Sequence, residues 1–239
     1  MLNSVYKNGG FWIGRYEAGI EGSDNNTSLA KQSHIDITES SPKAVSKPNC
    51  IPYNFVNCSE AQKLASRTII NGTSTSSLMF GIQWDLILRY LSAKGIATDL
   101  ITGENAYTLG NYYDNSFEIN RGKYSYQNPY NVYLDYKNPI ENIITYQNNV
   151  STKIGITDEN RILLTTGASD SNCQKNIYDL AGNIIEFTLE KSSLDFMGMS
   201  GCIRGGCFCN IFTENAISLR VYYNASNSSY HTGFRVCIF

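Results

Sequence analysis

The chain has 239 residues, 42% hydrophobic and 17% charged, with a formal net charge of −2. That length and apolar content suffice for one globular domain, or for a compact domain with long insertions. Near-neutral charge argues against nucleic acid as a partner, because phosphate binding needs a basic surplus. The longest apolar runs are only a few residues, as in Met79–Ile82, which excludes a membrane-spanning helix, and Met1–Gly10 lacks the apolar stretch of a signal peptide. Seventeen tyrosines among few charges point to a β-rich protein with a polar, loop-heavy surface.

Along the chain, Phe11–Ala18 predicts a strand, aromatic and β-branched after a Gly-Gly turn. Gly22–Cys50, rich in Ser, Asn, Lys and Pro, predicts a long loop. Ser59–Thr68 predicts a helix, with Ser59 and Gln62 as a capping box and Ala61, Leu64 and Ala65 as its apolar stripe. Ile82–Ser92 predicts a second helix: Trp84, Ile87, Leu88 and Leu91 recur at i, i+3, i+4 and i+7, and Lys94–Gly95 ends it. From Gly103 to Asn149 the pattern dissolves into Asn, Tyr, Gly and Pro, where short strands and turns cannot be placed. Arg161–Thr166, Leu219–Tyr223 and Phe234–Ile238 read as short strands, and Asn176–Glu190 as tight turn chemistry followed by an apolar run.

Cysteine and histidine counts limit the chemistry. There are seven cysteines, an odd number, so at least one thiol is free or pairs between chains. Cys207-x-Cys209 is the tightest pair, and its spacing reads as too close for a disulfide of ordinary geometry. With only His34 and His231, a three-histidine metal site is impossible. His34 reads as a surface residue, and His231 as a surface or ligand contact.

Four short motifs occur in order: Gly10-Phe-Trp-Ile-Gly-Arg-Tyr-Glu-Ala18, Phe80-Gly-Ile-Gln-Trp-Asp85, Asn176-Ile-Tyr-Asp-Leu-Ala-Gly-Asn-Ile-Ile-Glu-Phe-Thr188, and Arg204-Gly-Gly206 followed about thirty residues later by Gly233-Phe-Arg-Val236. Together they resemble the formylglycine-generating-enzyme-like (sulfatase-modifying-factor) family, over most of the chain. The resemblance implies an α+β fold of the C-type-lectin-like kind, in its formylglycine-generating-enzyme form: irregular antiparallel sheets, two packed helices and extensive loops, as a single domain over 1–239. It also implies a calcium site built from the Asp179 and Glu186 side chains with the carbonyls of Gly182 and Ile184. A tight glycine turn with two carboxylates suits a hard cation. The other reading of the same residues has Asp179 accepting backbone N–H bonds in the turn and Glu186 paired with an arginine. Trp84 and Phe11 read as core, Arg204 and Arg235 as braces that bond carbonyls or carboxylates, and Gly205 and Gly206 as positions of positive φ.

The oxidase branch of that family holds copper through two cysteines. Matching the motif puts those positions at Asn210 and Asn215, and amides cannot replace thiolates around soft Cu(I). The iron-dependent relatives need several histidines, which this chain lacks. The expectation is therefore a protein that is not an enzyme. The alternative is a metal-dependent oxidase with a rewired site at Cys207 and Cys209.

Between the R-G-G and G-F-R motifs, residue types swing between apolar and small polar with no helix or strand period. This stretch resembles the variable region of proteins diversified by retroelements, in which randomised template adenines turn AAC or AAT codons into fifteen residue types, never Lys, Glu, Gln, Met or Trp. Between Cys207 and Thr232 the only member of the excluded group is Glu214. The resemblance implies a variable ligand-binding region at 204–236 on a rigid frame, with Phe208, Asn210, Phe212, Tyr222, Tyr223, Ser226, Ser228, Tyr230 and His231 as contacts. Tyr and Phe supply area at low entropic cost, and Ser and Asn supply adaptable hydrogen bonds. The expected partner is a protein or cell-surface ligand, met by a phage receptor-binding or surface-displayed protein. A start so close to the first strand suggests a domain cut from a longer chain, and the cysteine pattern is compatible with a cytosolic origin that includes assembly into a phage particle.

Overall fold

The computed structural model describes residues 2–68, 75–103, 106–113, 115–127, 136–138, 144–146, 161–194, 197–210 and 216–239. Its helices are α1 (Leu2–Asn8), α2 (Cys58–Ser66), α3 (Gly81–Ala93) and α4 (Thr98–Thr102). Helix α2 starts one residue earlier than the sequence pattern suggests, because its capping box is Asn57–Glu60. The Asn57 side chain accepts from the Glu60 N–H (3.0 Å), and Glu60 returns the bond to the Asn57 N–H (3.0 Å). Gln62, expected in that role, instead accepts from Ser77 Oγ and the Leu78 N–H. Its stripe of Ala61, Leu64 and Ala65 is buried as the spacing requires. In α3, Trp84, Ile87 and Leu91 are buried, Leu88 is half-buried, and Gly95 follows in the left-handed region at φ +92°.

The strands are β1 (Trp12–Ile13), β2 (Gly19–Ile20), β3 (Ala44–Val45), β4 (Ser76–Leu78), β5 (Ser116–Glu118), β6 (Tyr124–Gln127), β7 (Ile144–Tyr146), β8 (Arg161–Leu164), β9 (Cys173–Gln174), β10 (Ile177–Tyr178), β11 (Ile185–Lys191), β12 (Gly201–Arg204), β13 (Val221–Tyr223), β14 (Thr232–Phe234) and β15 (Val236–Ile238). They form small sheets. The largest has the order β13-β12-β11-β14, with only the β11–β14 pair parallel, and a second runs β1-β15-β4, all antiparallel. The pairs β2–β3, β5–β7, β6–β8 and β9–β10 complete the set. The architecture is mixed α+β with irregular, mostly antiparallel sheets. Among the described residues it has two substantial helices, as expected, and two short ones in addition.

One expected strand is cut short and another is split, for identifiable reasons. Of Phe11–Ala18 only β1 is strand, and β2 begins just beyond it, because the Ser46 hydroxyl takes both backbone groups of Tyr16, accepting from its N–H (3.0 Å) and donating to its carbonyl (3.1 Å). A Cβ on Gly14 would come within 2.9 Å of that Ser46 oxygen. Phe234–Ile238 breaks at Arg235, where the chain leaves the four-stranded sheet as β14 and enters the three-stranded sheet as β15. The main core lies between α2 and the four-stranded sheet and includes Leu64, Phe187, Ile203, Phe208 and Phe234; a second cluster gathers around Trp84 and Tyr112. Phe11 packs half-buried against the second cluster.

Candidate functional site

The C-terminal segment is anchored at each end by a buried arginine. At its start, Arg204 on β12 has no solvent exposure and its guanidinium lies over the Trp84 ring, 5.6 Å from the centroid. Its Nη2 donates to Asp85 Oδ1 (2.9 Å) and its Nη1 to Glu190 Oε2 (3.3 Å). Arg220, just ahead of β13, donates to Asp85 Oδ2 and to Glu190 Oε1 (2.6 Å). Two arginines and two carboxylates thus close a ring that holds both ends of 204–220. Gly205 and Gly206 take φ of +90° and +70°, the left-handed turn that brings the chain over Trp84.

At the far end, Arg235 is equally buried. Its Nη2 donates to Glu186 Oε1 (2.7 Å), and its Nε lies 3.1 and 3.3 Å from the two Glu186 oxygens. The remaining donors reach the carbonyls of Gly14, Tyr178 and Asp179. This is the brace expected of both arginines.

The candidate contact residues divide sharply. Phe208 is fully buried in the main core, its ring edge toward Tyr230 at 6.2 Å, so it leaves the contact set. Apolar content alone does not tell a core Phe from a surface one. Asn210 is half-buried; its side-chain oxygen accepts from the Cys207 N–H (3.0 Å), and its carbonyl accepts from the Tyr113 N–H (2.9 Å), so it builds the turn. Phe212 lies outside the described residues, as does Asn215. On β13 the alternation of a strand decides: Tyr222 points out at 40% exposure, while Tyr223 packs edge-on against Phe187 at 5.9 Å. Ser226 is exposed, and Ser228, Tyr230 and His231 are half-buried. Tyr230 and His231 stack edge to face at 4.7 Å, and His231 Nδ1 lies 2.9 Å from Ser229 Oγ.

The turn between β13 and β14 is held through its main chain. Carbonyls of Ala225, Ser229, Tyr230 and His231 accept from the Cys58 N–H (3.0 Å), the Phe55 N–H (2.9 Å), Asn54 Nδ2 (2.8 Å) and the Ile185 N–H (2.8 Å). None of these bonds depends on the identity of the side chain at the accepting residue. Exposed neighbours that the motif reading omitted are Leu219, Arg220, Asn227, Met197 and Met199; Tyr222 Oη, 3.5 Å from Ser193 Oγ, places the loop after β11 beside β13. The one signal for that loop in the sequence was Met197-Gly-Met199, a turn with Gly198 at φ +76°.

The calcium reading of 179–186 meets a different arrangement. Both Glu186 oxygens are taken by Arg235, and Asp179 Oδ2 accepts from the Gly167 N–H (2.6 Å), close to the paired alternative. Gly182, at φ +70°, donates to the Gly205 carbonyl, and Ile184 is a core side chain. The residues do not fit calcium as arranged: a guanidinium already serves one of the two carboxylates. Around it lies a buried acidic group. Glu17 accepts from Asn183 Nδ2 through one oxygen; its other oxygen and Asp179 Oδ1 have no partner among the described residues. Burial, and then the nearby Asp179 and Glu186 charges, hold the Glu17 carboxyl well above the usual range, and burial pushes Asp179 up to about 7. The described trio with ligand atoms mutually within 4.8 Å is instead His34, Asp36 and Glu60, where Glu60 is already spent on the α2 cap.

Cys207 and Cys209 form a disulfide with Cα atoms 5.3 Å apart, correcting the expectation that their spacing forbids one. The turn closed by Asn210 brings the two sulfurs to one side, and in this state neither offers a thiolate. Cavities of about 590 and 410 Å³ are lined by residues 12–68 and 236–238, and one of about 450 Å³ lies between α2 and the C-terminal segment, lined by Asn57, Cys58, Ser59, Gln62, Leu189, Ala225 and Ser226. Among the described residues no helix is long and apolar enough to cross a membrane.

No family model matches the chain, and no curated protein matches it. Among solved structures, it is similar to Treponema denticola variable protein 1, at 14% identity and a TM-score of 0.46, over 95% of this chain and 84% of that one.

Proposed function

We propose that the protein is a non-catalytic binder, displayed on a phage particle or a cell surface, whose face at 219–231 is diversified to recognise a protein or cell-surface ligand. One observation carries the reading: carbonyls of Ala225, Ser229, Tyr230 and His231 are anchored by donors from 54–58 and 185, so side chains can change there while the backbone keeps its path. The two arginine brackets support it by fixing both ends of the segment. The absence of Lys, Gln, Met and Trp across 207–232 fits a template randomised at adenines. The pairing of Cys207 with Cys209 removes the thiolates that the oxidase alternative requires.

The coding DNA tests this. The reading expects a near-repeat of the last hundred or so bases, differing only at adenines and lying beside a reverse-transcriptase gene. The differences should cluster in codons for outward residues such as Tyr222, Ser226, Asn227, Ser228 and His231, and spare Arg204, Phe208 and Arg235. Absence of such a repeat, or differences spread evenly over buried and exposed codons, overturns it.

A further inference from the structure

Away from that face, the loop between β2 and β3 folds over a pocket of about 410 Å³, within the range of small-molecule sites. Its apolar walls are Ile20, Leu29, Ile37, Pro42 and Tyr53, of which Ile20, Ile37 and Tyr53 are buried, and Ser28, Gln32, Ser33 and Ser41 form a polar rim. One cation enters it. Lys31 is half-buried, its ammonium 5.4 Å from the Tyr53 ring centroid and donating to the Phe55 carbonyl at 3.1 Å. No carboxylate lies within 4 Å of that nitrogen among the described residues, although Glu60 is near enough to be felt. Phe55 holds its carbonyl there from a left-handed conformation, φ +51°, which is costly for an aromatic residue.

We infer that this pocket binds a small amphiphilic monocarboxylate, its alkyl part against Ile20, Leu29 and Ile37 and its carboxylate on the Lys31 ammonium. A desolvated ammonium gains most from an anion that enters the same low-dielectric space. A single lysine, with no arginine in the lining, supplies one point charge for one anionic group, and the apolar walls beside it suit an alkyl carboxylate. Burial lowers the Lys31 pKa from its ordinary value, in keeping with an ammonium short of a counter-ion. The site is independent of the binder reading, although Asn54 and Phe55, next to the lining residue Tyr53, donate to the Tyr230 and Ser229 carbonyls of that face.

Octanoate is the probe, with 1-octanol as its uncharged counterpart and methyl resonances of Ile20, Leu29 and Ile37 as the readout. Octanoate should shift those methyls saturably and bind about tenfold or more tightly than octanol. Lys31→Met, which keeps the apolar stem, should remove that advantage and leave octanol binding as it was. No shift at these methyls by about 10 mM octanoate, equal binding of acid and alcohol by the unmodified protein, or unchanged octanoate affinity in Lys31→Met overturns the proposal. The acid–alcohol comparison needs no variant, so a poorly folded Lys31→Met leaves the test intact.

Discussion

Arg204 and Arg235 occupy matching places at the two ends of the C-terminal segment, and neither is exposed. Their surroundings differ. The carboxylate partner of Arg235, Glu186, is 1% exposed, and the other acceptors are carbonyls up to 221 positions away. Arg204 faces Asp85 and Glu190, whose side chains are 30% and 25% exposed and are shared with Arg220. Its Nε finds no acceptor among the described residues. One arginine therefore ties together β1, β10, β11 and the crossing between two sheets; the other belongs to a half-wet ring with a second cation in reserve. A buried charge is indispensable in proportion to how completely its partner depends on it, not to how deeply it lies.

Removing each guanidinium should expose that contrast. Arg235→Met leaves Glu186 buried without a cation and three carbonyls without a donor, a loss of about 3–5 kcal/mol. That approaches the whole stability of an ordinary domain. Arg204→Met leaves Asp85 and Glu190 with Arg220 and water, so the loss should be nearer 1–3 kcal/mol. Urea unfolding of the two variants measures both, and equal losses would show the partners' exposure to be irrelevant.

The acidic group beside Arg235 extends the comparison to pH. Three buried carboxylates, Glu17, Asp179 and Glu186, share one guanidinium, and it bonds Glu186 alone. Asp179, pushed up to about 7 by burial, keeps its proton in the fold where the unfolded chain, near 3.8, has released it. The native state then binds more protons than the unfolded state between these values. The stability from this proton is complete below pH 4 and lost as pH rises toward 7, by up to about 1.4 kcal/mol per unit for each such proton. Glu17, also raised, acts in the same direction. Asp24 and Asp170, held low by Lys47 and Arg121, lose stability only as the solution becomes more acidic, and their pairs are exposed enough to count for little. The melting temperature should therefore climb from pH 8 to pH 5. Glu17→Gln or Asp179→Asn should flatten the slope, whereas a slope unchanged in both would mean the group is charged throughout.

The sequence disclosed those elements whose signal is local. Trp84, Ile87 and Leu91 needed only a helical period, and Gly205 and Gly206 only the knowledge that left-handed turns favour glycine. Arg235 was legible as a brace, but its partners lie at Gly14, Tyr178 and Asp179, which no spacing rule connects. The contact set failed where one feature serves two ends. Phe208 and Tyr222 are both aromatic in an aperiodic stretch, yet one fills the core and the other faces water. Asn210 has the composition of a contact and the job of a turn. The Cys207–Cys209 pairing is not legible from its spacing, because two residues so close can meet only where the chain turns, and the turn here is closed by the Asn210 side chain.

The smallest expected effect is also the one that bears most directly on the binding face. Tyr222 and Tyr223 are neighbours with the same side chain, and the strand turns them to opposite sides. Tyr223 meets Phe187 edge to face and joins the main core, so Tyr223→Ala removes packed aromatic surface and should cost about 1–3 kcal/mol. Tyr222 is 40% exposed, its hydroxyl 3.5 Å from Ser193 Oγ, and Tyr222→Ala should stay within about 0.5 kcal/mol of the parent. If the face binds as proposed, Tyr222→Ala is also the variant that weakens capture of a cognate ligand without moving the melting temperature. Thermal unfolding of the two single variants decides whether β13 presents one side to water: equal losses would place both tyrosines in the core and leave the face without its most exposed aromatic.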